Sequence, residues 1–161
     1  MFLLRRSASA LFVVAAFLLP GGNVAAQAGG TPESLKWAVA PSLLPPGAMI
    51  AVISGNPAGS GRAIIALSMP DGYRMPPHFH PSYERVEVKQ GTLLVGMGDR
   101  FDAKQTLPLA VGDTILAPPG MHHYSIAKGA TIVAVTFIAP YTITYVHAQE
   151  APRQGSFPFG Y

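Results

Sequence analysis

Residues 72–91 read GYRMPPHFHPSYERVEVKQG. His78 and His80 stand one residue apart, Glu84 follows, and Gly72 and Gly91 bracket the run. Along a strand, residues i and i+2 point to the same side. The two imidazoles therefore converge while Phe79 faces away. Pro81-Ser82 gives the chain a place to bend before the next segment. From there the pattern alternates: Glu84, Val86 and Val88 share one face, and Arg85, Glu87 and Lys89 share the other. The first face is apolar apart from Glu84. A carboxylate pointing into an apolar interior is costly unless it is paired or bound to a cation. Glu87, on the other face, reads as an ordinary solvated charge. Hydrogen bonding among themselves would satisfy one histidine and one glutamate, but two buried histidines and a glutamate leave donors or acceptors short. Imidazole plus carboxylate suits a divalent first-row metal.

A second cluster, residues 112–123, reads GDTILAPPGMHH. It offers a further imidazole at the start of another strand, after a tight Pro-Gly turn. Alternation lets only one of His122 and His123 face inward.

The surrounding punctuation is that of a β protein. Met49–Ser54, 62–69, 83–89, 92–97, Thr114–Ala117, 123–127, 131–138 and 141–147 read as strands. Turn signals separate them at Gly55-Asn56-Pro57, Pro70-Asp71-Gly72, Gln90-Gly91, Pro118-Pro119-Gly120 and Lys128-Gly129, with a polar loop over 98–107. Helical spacing is absent from this region. Many short strands with turns every 8–12 residues predict an antiparallel sandwich or barrel. Residues 29–47, rich in Gly and Pro, read as an arm with a short strand near Trp37, whose ring favours docking. Residues 148–161 read as an irregular tail.

The chain has 161 residues, enough for one domain. Its beginning, MFLLRRSASALFVVAAFLL, joins Arg5 and Arg6 to an apolar run too short to cross a bilayer as a helix. That is the layout of a secretory signal. Ala26-Gln27-Ala28 supplies a small-residue cleavage site, so residues 1–28 are expected to be removed after Ala28, with Ala26 as the alternative. The expected location is periplasmic or secreted. Loss of Arg5 and Arg6 leaves a nearly neutral mature chain, with no basic stripe for nucleic acid and no basic amphipathic helix for a membrane surface. The chain has no cysteine, which excludes disulfides, thiolate ligands and a cysteine nucleophile.

Together the two clusters resemble the motifs of the cupin superfamily. The first motif, G-x5-H-x-H-x3-E-x6-G, is matched by Gly72, His78, His80, Glu84 and Gly91; the second, G-x5-P-x-G-x2-H-x3-N, by Gly112, Pro118, Gly120 and His123. Ala127 stands where the second pattern has Asn, a position that is not a metal ligand in the family. The resemblance is to small exported bacterial single-domain cupins and covers residues 48–147. It implies an all-β fold, the cupin double-stranded β-helix or jelly roll, a small barrel of two packed antiparallel sheets. It also implies His78, His80, Glu84 and His123 as ligands of one divalent transition metal. Four protein ligands would close a tetrahedral zinc site, whereas octahedral Fe, Mn, Ni or Co would keep two positions open, and Cu also remains in the set. The leading expectation is a metal-dependent oxidoreductase of the dioxygenase type on a small organic molecule, with Glu84 as the catalytic candidate. A metal-dependent lyase or isomerase, or a non-enzymatic binding module, is the alternative. His122 and Tyr124 are candidates for contacts just outside the ligands, and His147 reads as an ordinary histidine. A homodimer joined through sheet edges is expected.

Overall fold

A computed structural model of the chain describes residues 34–152. The export segment, the start of the arm and the tail from residue 153 lie outside the described residues. Nine strands follow in order: β1 (Ala38–Val39), β2 (Met49–Ser54), β3 (Gly61–Met69), β4 (Arg74–Phe79), β5 (Glu84–Met97), β6 (Thr106–Leu109), β7 (Thr114–Ala117), β8 (His123–Ala139) and β9 (Thr144–Tyr145). Short 3-10 turns lie at Ala103–Gln105 and Ala148–Glu150. None is long and apolar enough to cross a membrane.

All pairings are antiparallel, and β5 and β8 belong to both walls of the molecule. The first half of β5, from Glu84 to Val88, pairs with Val133 to Phe137 of β8, and its second half, from Thr92 to Met97, pairs with His123 to Lys128. One wall runs β7-β5-β8-β3-β2-β1 through the first half of β5 and the second half of β8; the other runs β6-β5-β8-β4-β9 through the second half of β5 and the first half of β8. This is the jelly roll expected from the sequence. The apolar faces of both walls meet in a core that includes Ile65, Leu67, Val88, Val95, Val133 and Phe137.

Gln90-Gly91 and Lys128-Gly129 do not end strands, as the punctuation predicts, but bend them. The β5–β8 register shifts on both sides of Gln90, so these residues form bulges that carry two long strands from one wall to the other. Gly91 has φ +73°, and a Cβ there would lie 2.5 Å from the Ala130 carbonyl oxygen. Turn chemistry and bulge chemistry both favour glycine in the left-handed region, so local sequence does not separate them.

Other strand bounds also differ. The segment expected as strand over 141–147 pairs only at Thr144–Tyr145, the loop over 98–107 contains the start of β6, and residues 74–79 form a strand despite Pro76 and Pro77. The β4–β8 register is interrupted between Met75 and His78, which is where the prolines, unable to donate to a ladder, are accommodated.

The bulge yields a stability prediction. Gly91→Ala forces backbone to move and places a side chain at positive φ, at a cost of about 1–3 kcal/mol. Thermal unfolding should show a Tm lowered by several degrees; an unchanged Tm would mean that the β5 bend tolerates a Cβ.

Candidate metal centre

β4 and β8 run side by side and place His78 directly opposite His123. Glu84 opens β5 between Ala117 of β7 and Phe137 of β8. His80 lies just past β4, where its carbonyl accepts from the Gly120 amide at 2.9 Å. This bond joins the Pro-Gly turn of the second cluster to the first cluster. One donor atom from each of His78, His80, Glu84 and His123 falls within 4.8 Å of the others, and all four residues are buried, with exposures of 3–7%.

The ring hydrogen bonds orient the imidazoles. Nδ1 of His78 meets the Pro76 carbonyl at 2.7 Å, Nδ1 of His80 meets the Thr142 carbonyl at 2.7 Å, and Nδ1 of His123 meets the Met121 carbonyl at 2.9 Å. A carbonyl only accepts, so each Nδ1 carries the hydrogen and each Nε2 presents its other valence to the cluster. Nε2 of His80 and of His123 lie 3.3 and 3.2 Å from Oε2 of Glu84. Nε2 of His80 is a buried polar atom without a hydrogen-bond partner. Such an atom is costly. The place it faces calls for a proton or a metal ion, and one divalent cation would serve three imidazoles and the carboxylate together. Ligand spacings near 3.2 Å match neighbouring ligands about 2.0–2.2 Å from a shared ion. The donor set fits the divalent metal expected from the sequence.

Electrostatics point the same way. Burial lowers His78 to about 3, and His123 and His80 push it in the same direction, so His78 is a neutral ligand. Burial also lowers His80, but the adjacent Glu84 carboxylate outweighs it and the net shift is upward. Burial raises Glu84, yet His123 and His80 hold its carboxyl well below the usual carboxylate range. Glu84 is therefore an anion held among buried imidazoles.

Glu84 has a partner that the sequence reading missed. The Tyr141 hydroxyl donates to Oε1 of Glu84 at 2.8 Å. Its ring stacks on His80 at 5.3 Å and 23° and packs on Phe137 at 4.4 Å. Burial and the Glu84 charge raise the Tyr141 hydroxyl well above its ordinary value, so it stays a donor. Tyr141 thus occupies one carboxylate oxygen and leaves Oε2 to the imidazoles. The residue lies 57 positions from Glu84, outside both motifs, and no local pattern marks it.

The residues proposed from sequence for that outer position sit elsewhere. His122 stacks on Phe79 at 4.8 Å and bonds Asp99 at 2.6 Å on the surface. Tyr124 projects to the opposite face from His123, into space left by Gly96, and its hydroxyl bonds the Asp102 carbonyl at 3.1 Å. The cause is strand alternation: neighbours of an inward residue point outward. His147 bonds the Asp99 carbonyl at 2.9 Å and has no role in the cluster. Ala127 is buried in the core.

His78, Glu84, His123 and Tyr141 form one side of a cavity of about 50 Å3 whose other walls include Leu44, Leu67, Met69, Val95 and Val133. Glu87 is outside, between Arg85 and Lys89, as alternation predicts.

Comparison with solved structures places this architecture. An RmlC-like cupin from Shewanella frigidimarina superposes with a TM-score of 0.53 over 70% of this chain and 90% of its own, at 17% identity. The chain has the cupin fold. KdgF from Halomonas sp. superposes equally well, with a TM-score of 0.53 over 69% of this chain and 93% of its own at 19% identity. A DMSP lyase from Ruegeria pomeroyi gives 0.54 over 70% of this chain and 61% of its own at 18% identity. At these identities the likeness is one of fold. By sequence, this chain is 39% identical over 84 residues to Germin-like protein 9-1 of Oryza sativa subsp. japonica, over 50% of this chain and 34% of the relative. The match therefore spans about a third of the curated relative's length. No protein-family model matches the chain.

Three outcomes follow for this chain. Glu84→Gln should abolish stoichiometric metal uptake, measured by elemental analysis, and erase the Tm gain on metal addition, whereas Glu87→Gln should change neither. For wild type that gain corresponds to about 2.7 kcal/mol when free metal is 100 times Kd. Tyr141→Phe keeps the ring packing and removes one hydrogen bond to a ligand; chelator competition should show metal affinity about 10–100-fold weaker. In the metal-free chain, unfolded His78 protonates below about 6.5, whereas folded His78 does so only near 3. The unfolded state binds more protons across that window, so stability falls with acid. His80, shifted upward, opposes part of the slope. The Tm of chelated protein should decline from pH 7 to pH 4, and His78→Gln should flatten the decline.

Proposed function

We propose that this cupin is an exported mononuclear metal protein acting on a small organic molecule, as a metal-dependent oxidoreductase of the dioxygenase type. One observation carries the reading: three inward Nε2 atoms and one carboxylate oxygen converge beside an otherwise apolar cavity, with Nε2 of His80 lacking a partner. His78, His80, Glu84 and His123 would hold the ion. When bound, it would supply Lewis acidity and a template for substrate and dioxygen. The chain's own contributions are readable from its geometry. The carbonyls of Pro76, Thr142 and Met121 hold the imidazole orientations. Tyr141 holds Glu84, and the aliphatic walls exclude water, which strengthens every charge interaction inside. Glu84 is the one carboxylate among the described residues on the cavity wall and is the catalytic candidate.

A second reading, a lyase or isomerase, is favoured by Tyr141. A neutral hydroxyl bonded to a carboxylate on the cavity wall is a proton donor and acceptor pair that needs no dioxygen. A metal-binding module without turnover is the third. The deciding experiment loads the untagged chain with iron, manganese, nickel, cobalt or copper and follows small carboxylic and phenolic compounds with an oxygen electrode. Oxygen uptake matched to substrate loss supports the oxidoreductase; equal turnover without oxygen selects the lyase or isomerase; firm metal retention with no exchangeable position selects the module.

Export rests on the N-terminal pattern of Arg5, Arg6 and the following apolar run. Mass spectrometry of the secreted or periplasmic chain should find a mature start after Ala28 or Ala26. Pairing into a homodimer is supported by exposed apolar side chains such as Leu116, Ile138 and Tyr83. Light scattering at micromolar concentration should give twice the monomer mass.

A further inference from the structure

The loop between β1 and β2 is more than a connection. β1 and β2 pair at Ala38 with Ile50 and Val39 with Met49, and the Ala40 amide bonds the Ala48 carbonyl at 3.0 Å. Residues 41–47 are therefore the tip of a hairpin closed at its base. The tip folds inward: Leu44 is 2% exposed and stands in the wall of the cavity that also holds His78, Glu84 and His123. Leu43, its neighbour, lines a separate outer groove of about 400 Å3 with Tyr141 and Tyr145. The loop is thus a partition, with one leucine on each side.

Its position is held from both flanks of Leu44. The Tyr145 hydroxyl donates to the Leu43 carbonyl at 2.9 Å, and the Tyr73 hydroxyl donates to the Pro45 carbonyl at 2.7 Å. Tyr73 directly precedes β4 and Tyr145 lies in β9, so both anchors belong to the wall that carries His78. The Leu44 amide bonds the Pro41 carbonyl at 2.9 Å, and Pro45 and Pro46 restrict the backbone further. A buried side chain pinned through both adjoining carbonyls is a rigid plug.

We propose that Leu44 is the size filter of the metal cavity, limiting what reaches the four-residue cluster to ligands of a few non-hydrogen atoms. The cavity volume of about 50 Å3 is far below the roughly 300–1,000 Å3 of pockets for drug-sized ligands, while a single water needs roughly 10–15 Å3 of such space. The outer groove is large enough for a bigger molecule but lies on the far side of the partition. With aliphatic walls and the metal ligands as the main polar groups, the class admitted is a small molecule with an oxygen donor at one end, such as a short carboxylate. This inference rests on the metal reading above.

The test uses the full chain loaded with cobalt(II), whose visible absorption reports ligands entering its coordination sphere. Formate, acetate and trimethylacetate are titrated into wild type, Leu44→Ala and Leu44→Val. Wild type should bind formate and acetate and take trimethylacetate about tenfold or more weakly. Leu44→Ala should bind trimethylacetate about tenfold more tightly than wild type, with formate affinity unchanged. Leu44→Val, which removes less of the plug, should fall between and carries the test if Leu44→Ala does not fold. Wild type that binds all three carboxylates alike, or variants that shift all three by one common factor, overturns the size filter while leaving the metal reading intact. Failure of folded wild type to take up cobalt, or any of the other four metals, overturns both.

Discussion

The Glu84 carboxylate governs how the site and the strands around it are arranged. It is an anion held in an apolar interior, where an unpartnered charge costs several kcal/mol or more. Each feature around it reduces that cost. Two imidazole nitrogens approach Oε2, and the Tyr141 hydroxyl approaches Oε1. The cluster still has one buried nitrogen, Nε2 of His80, without a partner. A divalent cation completes that balance, which makes metal binding a consequence of the burial rather than an addition to it.

The fold supplies the precision. β5 brings Glu84 in as its first residue, flanked by β7 and β8, β4 and β8 bring His78 and His123 in as directly opposed residues, and the turn at Gly120 bonds back to His80. Backbone carbonyls, not side chains, fix the ring orientation of all three histidines. A carbonyl can serve only as acceptor, so the tautomer does not depend on the identity of a neighbouring side chain. That is a robust way to present three nitrogens to one point. The bends at Gly91 and Gly129 let β5 and β8 pass from one wall to the other, and both walls then enclose the cavity beside the ligands.

Chemistry is confined by what surrounds the ligands. The cavity is small and aliphatic, Tyr141 holds one oxygen of the Glu84 carboxylate on its wall, and the β1–β2 loop separates it from a larger outer groove. The cavity wall and the surroundings of Glu84 are thus built by groups far apart in the chain: Leu44 and Tyr141 lie on opposite sides of the motif-bearing segments. Fold likeness to cupins says little about either residue, because neither belongs to the shared motifs.

The sequence by itself determined what repeats at short range. Period-two alternation put Glu84, Val86 and Val88 inward and Glu87 outward, the i, i+2 spacing brought His78 and His80 to one side, and turn residues marked β2, β3 and β7 closely. The motif spacing singled out His123 from His122, and the structure places only His123 in the cluster. Tertiary structure decided what long-range packing controls. Gly91 and Gly129 became bulges in continuous strands, since a positive-φ glycine serves a bulge or a hairpin equally and only the partner strand selects between them. Tyr124 turned away from the site and Tyr141 turned toward it. Leu44, in a segment that reads as an arm, became part of the cavity wall. Local spacing says which way a side chain points from its own backbone; it does not say which distant backbone lies opposite, and the contacts to Glu84 and around Leu44 are of that second kind.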